Sequence, residues 1–97
     1  MSKERILSLL ASRREDMRAR FGVKELGVFG SAARDDMRYE SDVDILVEFQ
    51  DAATFDRYMD LKAYLEALLG MAVDLVTEDA LKPRMRPLIE KDLVRVT

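Results

Sequence analysis

The stretch GSAARDDMRYESDVD, residues Gly30–Asp44, is the most informative part of the sequence, because it joins a glycine-serine turn to two aspartates at the start of an apolar strand. Asp42 and Asp44 are separated by one residue and precede the apolar run Ile45–Val47. Residues two apart in a strand point to the same face, so the two carboxylates are expected ~6–7 Å apart along the strand. Like charges this close repel each other, and burial raises the cost. A metal ion, an arginine or water must therefore compensate them.

The amino-acid composition limits the chemistry that this chain can carry out. The 97 residues include no cysteine and no histidine, which excludes thiol nucleophiles, zinc-thiolate sites and the usual general base. With 48% hydrophobic and 36% charged residues, the chain is typical of one globular domain spanning residues 1–97. Catalysis would have to use carboxylates, hydroxyls, lysine, arginine, backbone groups or a hard cation such as Mg²⁺, which prefers oxygen ligands.

The charge is distributed unevenly along the chain. Residues 25–79 carry fourteen acidic and four basic side chains, whereas the segments before and after them are net basic. An acidic middle does not provide the coherent basic face that nucleic-acid binding needs, so no direct nucleic-acid partner is expected. No apolar run approaches the ~20 residues that span a bilayer, and the N-terminus lacks a signal-peptide pattern. A cytoplasmic protein without a membrane partner is therefore expected.

Hydrophobic periodicity and turn residues predict an α/β fold, a small mixed β-sheet of three to four strands flanked by helices. A first helix is capped by Ser2, runs to about Phe21 and stops at Gly22, and a second long helix runs from a Thr54 cap to Gly70. The other predicted elements are strands Lys24–Gly30, Asp42–Phe49, Ala72–Thr77 and an edge strand Leu93–Val96, a short helix opened by Gly30–Ala33, and an irregular C-terminal helix bracketed by Pro83 and Pro87. The strand-helix-strand order of residues 42–77 predicts a parallel pair.

This arrangement places Asp42, Asp44 and Asp74 on one face of two adjacent strands. Three converging carboxylates without histidine or cysteine are typical of a site for hard divalent cations. Two such ions a few ångströms apart can activate an attacking oxygen and stabilise a leaving oxygen in phosphoryl or nucleotidyl transfer.

The glycine-serine turn next to these aspartates has the properties of a phosphate site. Gly30 allows close approach of the backbone to a ligand, and Ser31 offers a hydroxyl and backbone N–H groups at a helix start. Arg34 could reach the same phosphates as a bidentate donor. Plainer interpretations stay open: a charged strand edge for Asp42 and Asp44, a surface carboxylate or arginine partner for Asp74, a simple turn, and an ion pair of Arg34 with a neighbouring aspartate.

These residues carry a family resemblance. Gly30-Ser31, ten residues, and then Asp42-Val43-Asp44 resemble the G-S-x10-D-x-D signature of the polymerase-beta-like nucleotidyltransferase superfamily. Asp74, within AVDLV, is similar in position to its third metal-binding aspartate. GSAAR followed by SDVDILVEF resembles most closely the minimal nucleotidyltransferases, or MNT proteins, which have about this length. The resemblance covers residues 26–77.

The resemblance implies a polymerase-beta-like fold and an activity. Family members transfer a nucleoside monophosphate from a nucleoside triphosphate to a hydroxyl and release pyrophosphate. By resemblance, Asp42 and Asp44 hold Mg²⁺ (two ions), and Asp74 completes the metal site and helps to activate the acceptor. Gly30 and Ser31, with Arg34 as a further donor, contact the triphosphate of the expected donor, ATP.

The resemblance also implies a biological setting. MNT proteins occur with small helical HEPN proteins as antitoxins of toxin–antitoxin pairs, where AMP is transferred to a tyrosine of the HEPN toxin. A HEPN-type partner is therefore the leading expectation for this chain. Two alternatives stay open: a non-catalytic antitoxin that neutralises its partner by binding, and a small-molecule nucleotidyltransferase of the antibiotic-modifying kind.

Overall fold

The computed structural model describes residues 1–96, in which helices and strands alternate around one sheet. The elements are α1 Lys3–Ser12, α2 Arg14–Phe21, β1 Val23–Phe29, α3 Gly30–Ala33, β2 Val43–Phe49, α4 Phe55–Leu69, β3 Val73–Thr77, a 3₁₀ turn Glu78–Ala80, α5 Arg86–Glu90 and β4 Val94–Arg95. The predicted short helix at Gly30–Ala33 is confirmed, and so are the Thr54 cap and the Gly70 stop of α4.

The sheet has the strand order β3-β2-β1-β4 and is mixed. Strand β1 pairs antiparallel with both β2 and β4, whereas β2 and β3 run parallel and are joined by the α4 crossover. The predicted mixed sheet, its parallel pair and its C-terminal edge strand are confirmed. Because β2 has a partner on each side, its side chains occupy the middle of the sheet.

One face of the sheet carries the main core. Val43, Ile45 and Val47 alternate along β2, and all three are fully buried. Leu61 and Leu65 of α4, four residues apart on one side of the helix, are buried in the same core cluster. The even positions of β2 therefore point to the opposite face.

The C-terminal segment covers part of this opposite face. Leu46, which alternates with the core residues of β2, packs with Leu81 and Ile89 in a second, smaller apolar cluster. Asp44 lies two residues before Leu46 on the same face and is only half-buried. The C-terminal apolar residues therefore cover β2 at Leu46, whereas the surface at the beginning of β2 stays polar and partly accessible.

The N-terminal helical region differs from the single helix predicted to Phe21. It breaks at Arg13, whose N–H donates to the carbonyl of Leu10 at 3.1 Å, a three-residue closure. The hydroxyl of Ser12 donates to the carbonyl of Leu9 at 2.6 Å and so competes for the helix acceptors of the last turn. The predicted Gly22 stop is confirmed, since Gly22 ends α2 in the left-handed conformation.

The prediction that Pro83 and Pro87 bracket the C-terminal helix is wrong. Helix α5 begins at Arg86 and contains Pro87 in its first turn, where a missing N–H removes no helical hydrogen bond. The strand limits also shift by one residue. Strand β1 begins and ends one residue earlier than predicted, and β2 and β3 each begin one residue later, so Asp42 lies just before β2.

Across residues 1–96, none of the helices combines the length and the apolar character that crossing a membrane requires.

Candidate active site

Asp44 is the centre of the candidate site, because the sheet places it between two neighbouring strands. In the strand register Asp44 lies opposite Phe29, the last residue of β1, and opposite Asp74 of β3. The predicted adjacency of Asp44 and Asp74 is therefore confirmed. It follows from the parallel register of β2 and β3, which also aligns the core residues Val43 and Val73.

Gly30 follows β1 directly and lies against the Asp44 carboxylate. Its φ angle is +68°, a left-handed conformation that side chains disfavour. A Cβ atom at this position would lie 2.2 Å from Oδ2 of Asp44. The Asp44 carboxylate therefore occupies the space that any other residue at position 30 would need for its side chain.

The electrostatic environment of Asp44 disfavours its negative charge. Burial raises the pKa of Asp44, and the charges of Asp74 and Asp42 and a hydrogen bond with Asp74 raise it further. Arg34 opposes these effects and lowers the pKa by its charge. No salt bridge within residues 1–96 includes Asp42, Asp44 or Asp74. The repulsion that the sequence predicted is thus present and only partly compensated.

Asp42, which was also predicted to bind the metal, lies outside the paired strands. Asp42 is exposed and precedes β2 by one residue. In the part of the chain that the structure describes, no three acidic side chains are arranged so that they could hold a metal ion. The geometry therefore brings Asp44 and Asp74 into contact without forming a three-carboxylate cluster. The donors themselves, all carboxylate oxygens, are those that Mg²⁺ prefers.

The two phosphate-binding candidates of α3 have different surroundings. Ser31 is half-buried in the first turn of α3, and Phe29, the residue before this helix, provides no side-chain cap for its N–H groups. Arg34, at the other end of α3, donates from Nη1 to Asp92 at 2.8 Å and from Nε to Asp36 at 3.3 Å. The hydrogen bonds to Asp92 and Asp36 raise the pKa of Arg34.

The ion pair of Arg34 includes one residue that sequence reasoning did not find. The expectation of a neighbouring aspartate is met by Asp36, two residues away. Asp92 lies 58 residues further along the chain, just before β4, and no spacing pattern in the sequence connects it with Arg34. This pair ties α3 to the C-terminal segment across the surface next to Asp44.

A cavity of about 360 Å³ lies beside Asp42 and was also not predicted. Its walls come from the loop before β2 and from the connection between α4 and β3 (Tyr39, Glu40, Ser41, Asp42, Gly70, Met71, Ala72). The only sequence signal for it is an aromatic residue, Tyr39, within a polar loop. A larger cavity of about 440 Å³, lined by Tyr58, Leu75 and Thr77 among others, lies toward the carboxyl end of β3 and contains none of the predicted site residues.

Comparison with known proteins agrees with the nucleotidyltransferase resemblance of the sequence. The family described as "Nucleotidyltransferase domain" matches residues 10–96. Protein adenylyltransferase MntA of Thermococcus cleftensis is 42% identical over 96 residues, which is 99% of this chain and 97% of that protein.

Solved structures share this fold, among them the following two. One, described as a "putative minimal nucleotidyltransferase", is 39% identical and superposes with a TM-score of 0.76, covering 97% of this chain and 95% of the other. The other, a tri-AMPylated HEPN toxin of Shewanella oneidensis in complex with its MNT antitoxin, contains a chain with a TM-score of 0.68 at 17% identity, covering 94% of this chain and 71% of that one. The nucleotidyltransferase resemblance of the sequence is confirmed, and this chain belongs to the nucleotidyltransferase-domain family.

Proposed function

We propose that this chain transfers AMP from ATP to a hydroxyl group of a partner protein, a tyrosine of a HEPN-type toxin, and thereby acts as an antitoxin. The observation that carries the proposal is the contact of Asp44 with Asp74, next to the left-handed Gly30 that packs against the Asp44 carboxylate. The 42% identical relative is named a protein adenylyltransferase, which supports adenylyl transfer to protein. The fold is shared with an MNT antitoxin bound to a tri-AMPylated HEPN toxin, which supports the partner.

Asp42, Asp44 and Asp74 would hold Mg²⁺ in this proposal. Bound Mg²⁺ supplies charge neutralisation at the phosphates and lowers the pKa of a coordinated hydroxyl. Asp44 fits this role because its surroundings leave its charge only partly compensated, and Asp42 and Asp74 are exposed enough to reach a ligand.

Gly30 and Ser31 would bind the triphosphate. The first-turn N–H groups of α3 lack a side-chain cap and the Ser31 hydroxyl lies in the same turn. Phosphate oxygens are suitable acceptors for such groups. The triphosphate would then lie next to the Asp44–Asp74 pair, and the strand register and the position of the turn support this arrangement.

The test is transfer from nucleotide to partner in the purified pair. With Mg²⁺, ATP is expected to add AMP to a tyrosine of the HEPN protein, detected by intact mass and peptide mapping, whereas GTP, CTP and UTP give less product. Asp74→Asn is expected to reduce the rate by about a hundredfold or more, the scale of losing a group that acts in the transition state. The exposed Asp60→Asn on α4 is the matched control and should retain the wild-type rate.

A second candidate is a non-catalytic antitoxin, and two observations favour it. Within residues 1–96 no three-carboxylate metal cluster is formed, and Arg34 is engaged with Asp36 and Asp92. If Asp74→Asn still neutralises the toxin and no AMP appears on the partner, neutralisation results from binding and the catalytic proposal is wrong. Loss of neutralisation with binding retained supports catalysis.

Arg34 allows a separate test of the nucleotide site. If its guanidinium binds the triphosphate, Arg34→Ala should raise the KM for ATP roughly tenfold, the effect of one hydrogen bond to a charged group. Asp92→Asn removes one competing carboxylate and should lower that KM. Steady-state kinetics of both variants give the answer. An unchanged KM in Arg34→Ala would mean that Arg34 only fastens the C-terminal segment.

A further inference from the structure

Tyr39 is the one tyrosine of this chain whose hydroxyl is available for chemistry. Its side chain is 100% exposed and makes none of the hydrogen bonds found within residues 1–96. The hydroxyl of Tyr58 donates to the carbonyl of Leu75, and the hydroxyl of Tyr64 donates to Asp16 at 2.7 Å. The structure thus explains the positions of two tyrosines and leaves the third without a structural role.

Tyr39 lies in a tight turn that directly precedes Asp42. The N–H of Arg38 donates to the Ser41 hydroxyl at 3.0 Å, and the N–H of Ser41 donates to the Arg38 carbonyl at 3.0 Å. Tyr39 and Glu40 form the tip of this turn, and Asp42 follows it directly. Because two hydrogen bonds close the turn between Arg38 and Ser41, Tyr39 lies in an ordered turn three residues before Asp42.

Tyr39 and Asp42 also share a cavity. Both line the space of about 360 Å³ that is also lined by residues 70–72. Ala72 precedes β3 by one residue, and Asp74 is the second residue of that strand. The cavity is therefore lined by the exposed tyrosine, by one proposed metal ligand and by the residues that lead into the strand carrying another.

We propose that Tyr39 is a modification site, namely an acceptor for AMP transferred by this chain to itself. The inference rests on the proposed adenylyl transfer and adds an acceptor within the same molecule. In this step the Tyr39 phenolic oxygen forms a bond with the α-phosphorus of ATP, and the bond from that phosphorus to the bridging oxygen of the β-phosphate breaks. Pyrophosphate leaves, and the phenolic proton passes to water.

The product would affect the site physically. The attached phosphodiester carries one negative charge, and it would lie in a loop that already contains Glu40 and Asp42. The nucleoside would occupy space in or beside the shared cavity. Modification would therefore oppose a second round of transfer at the same site, so the reaction is expected to stop at one AMP per chain.

The experiment uses the purified chain with ATP and Mg²⁺, in the absence of any partner. Intact mass is expected to increase by one AMP, and peptide mapping is expected to place it on Tyr39. The label should be absent in Tyr39→Phe, and the melting temperature of this variant checks that it is folded. The rate per chain should not depend on protein concentration. A mixture of Tyr39→Phe with Asp44→Asn should stay unlabelled, because the acceptor and the intact site are then on different molecules.

The HEPN partner separates failure of this inference from failure of the proposed function. If wild-type chain labels the partner while Tyr39 stays unmodified, self-modification is wrong and the proposed function stands. Transfer within one molecule to Tyr39 is equally wrong if the label lies on another residue, or if the mixture becomes labelled. If neither protein acquires AMP, adenylyl transfer itself is wrong and the inference falls with it.

Discussion

Asp44→Asn is expected to slow transfer severely and at the same time to make the free protein more stable. The carboxylate lies between Phe29 and Asp74 in the strand register, at the point where the proposed metal ligands meet. Its loss should lower the rate of AMP transfer by about a hundredfold to a thousandfold, the range for removing a group that stabilises charge in a transition state. The measurement is single-turnover transfer to the partner at saturating ATP.

The expected gain in stability follows from the direction of the Asp44 pKa. Burial and the neighbouring carboxylates raise the pKa of Asp44, so the folded state binds its proton more tightly than the unfolded state does. Stability from this group is therefore fully present below the unfolded pKa and is lost as the pH rises through the folded pKa. Asparagine stays uncharged at every pH and avoids this loss of stability. The variant should therefore have a higher melting temperature than the wild type at neutral pH, and the difference should shrink in acid.

Ligand addition should reverse the order of the two proteins. A ligand that binds only the folded state raises its stability. Mg²⁺ with a non-hydrolysable ATP analogue should therefore stabilise the wild type and leave Asp44→Asn unchanged. Asp60→Asn, an exposed carboxylate without an ion pair in residues 1–96, is the control and should follow the wild type. An Asp44→Asn protein that is less stable than wild type at neutral pH would contradict the proposed repulsion.

The fold was predictable from the sequence because the apolar residues recur at every second position in the strands and at every third or fourth position in the helices. Val43, Ile45 and Val47 alternate as expected for a strand with one buried face, and the Thr54 cap and the Gly70 stop delimit α4. The parallel register of Asp44 and Asp74 then follows from the crossover. The break at Arg13 could not be predicted, because it depends on a local competition for the Leu9 carbonyl by a serine hydroxyl.

The candidate site was predictable only where it depends on strand neighbours. Asp44 and Asp74 meet because two aligned strands place them there, whereas Asp42 lies outside β2, and its side-chain position is not determined by pairing. The contact of Arg34 with Asp92 joins residues 58 apart, and the cavity beside Tyr39 is formed by two separate connections. Contacts of this kind depend on tertiary packing and leave no periodic signal in the sequence.

Gly30→Ala is expected to have the second large effect, since it affects backbone and carboxylate together. A left-handed φ in a residue with Cβ costs about 1–2 kcal/mol, and overpacking adds about 1–3 kcal/mol. The new Cβ would lie 2.2 Å from Oδ2 of Asp44, so the carboxylate must move. Transfer should fall nearly as far as in Asp44→Asn, and the melting temperature should fall by about 4–8 °C for each kcal/mol lost.

Gly70→Ala is the matched control for the backbone effect. Gly70 has φ +67°, almost the same as Gly30, but a Cβ built there meets no atom within 4 Å. Gly70→Ala should therefore lose stability by the backbone cost alone and keep its transfer rate. Equal losses of stability in the two variants, with activity retained in both, would show that Asp44 can move without consequence.

A double variant isolates the contact between Gly30 and Asp44. With Asp44→Ala, only the Cβ of residue 44 remains near the new side chain, at 3.5 Å, which is an ordinary contact distance. Gly30→Ala should thus destabilise the Asp44→Ala protein less than it destabilises the wild type, and the difference measures the collision. Additive effects on the free energy of unfolding would mean that the glycine is required for its φ angle alone. A favourable coupling would mean that position 30 must be glycine because the Asp44 carboxylate occupies the space of its side chain.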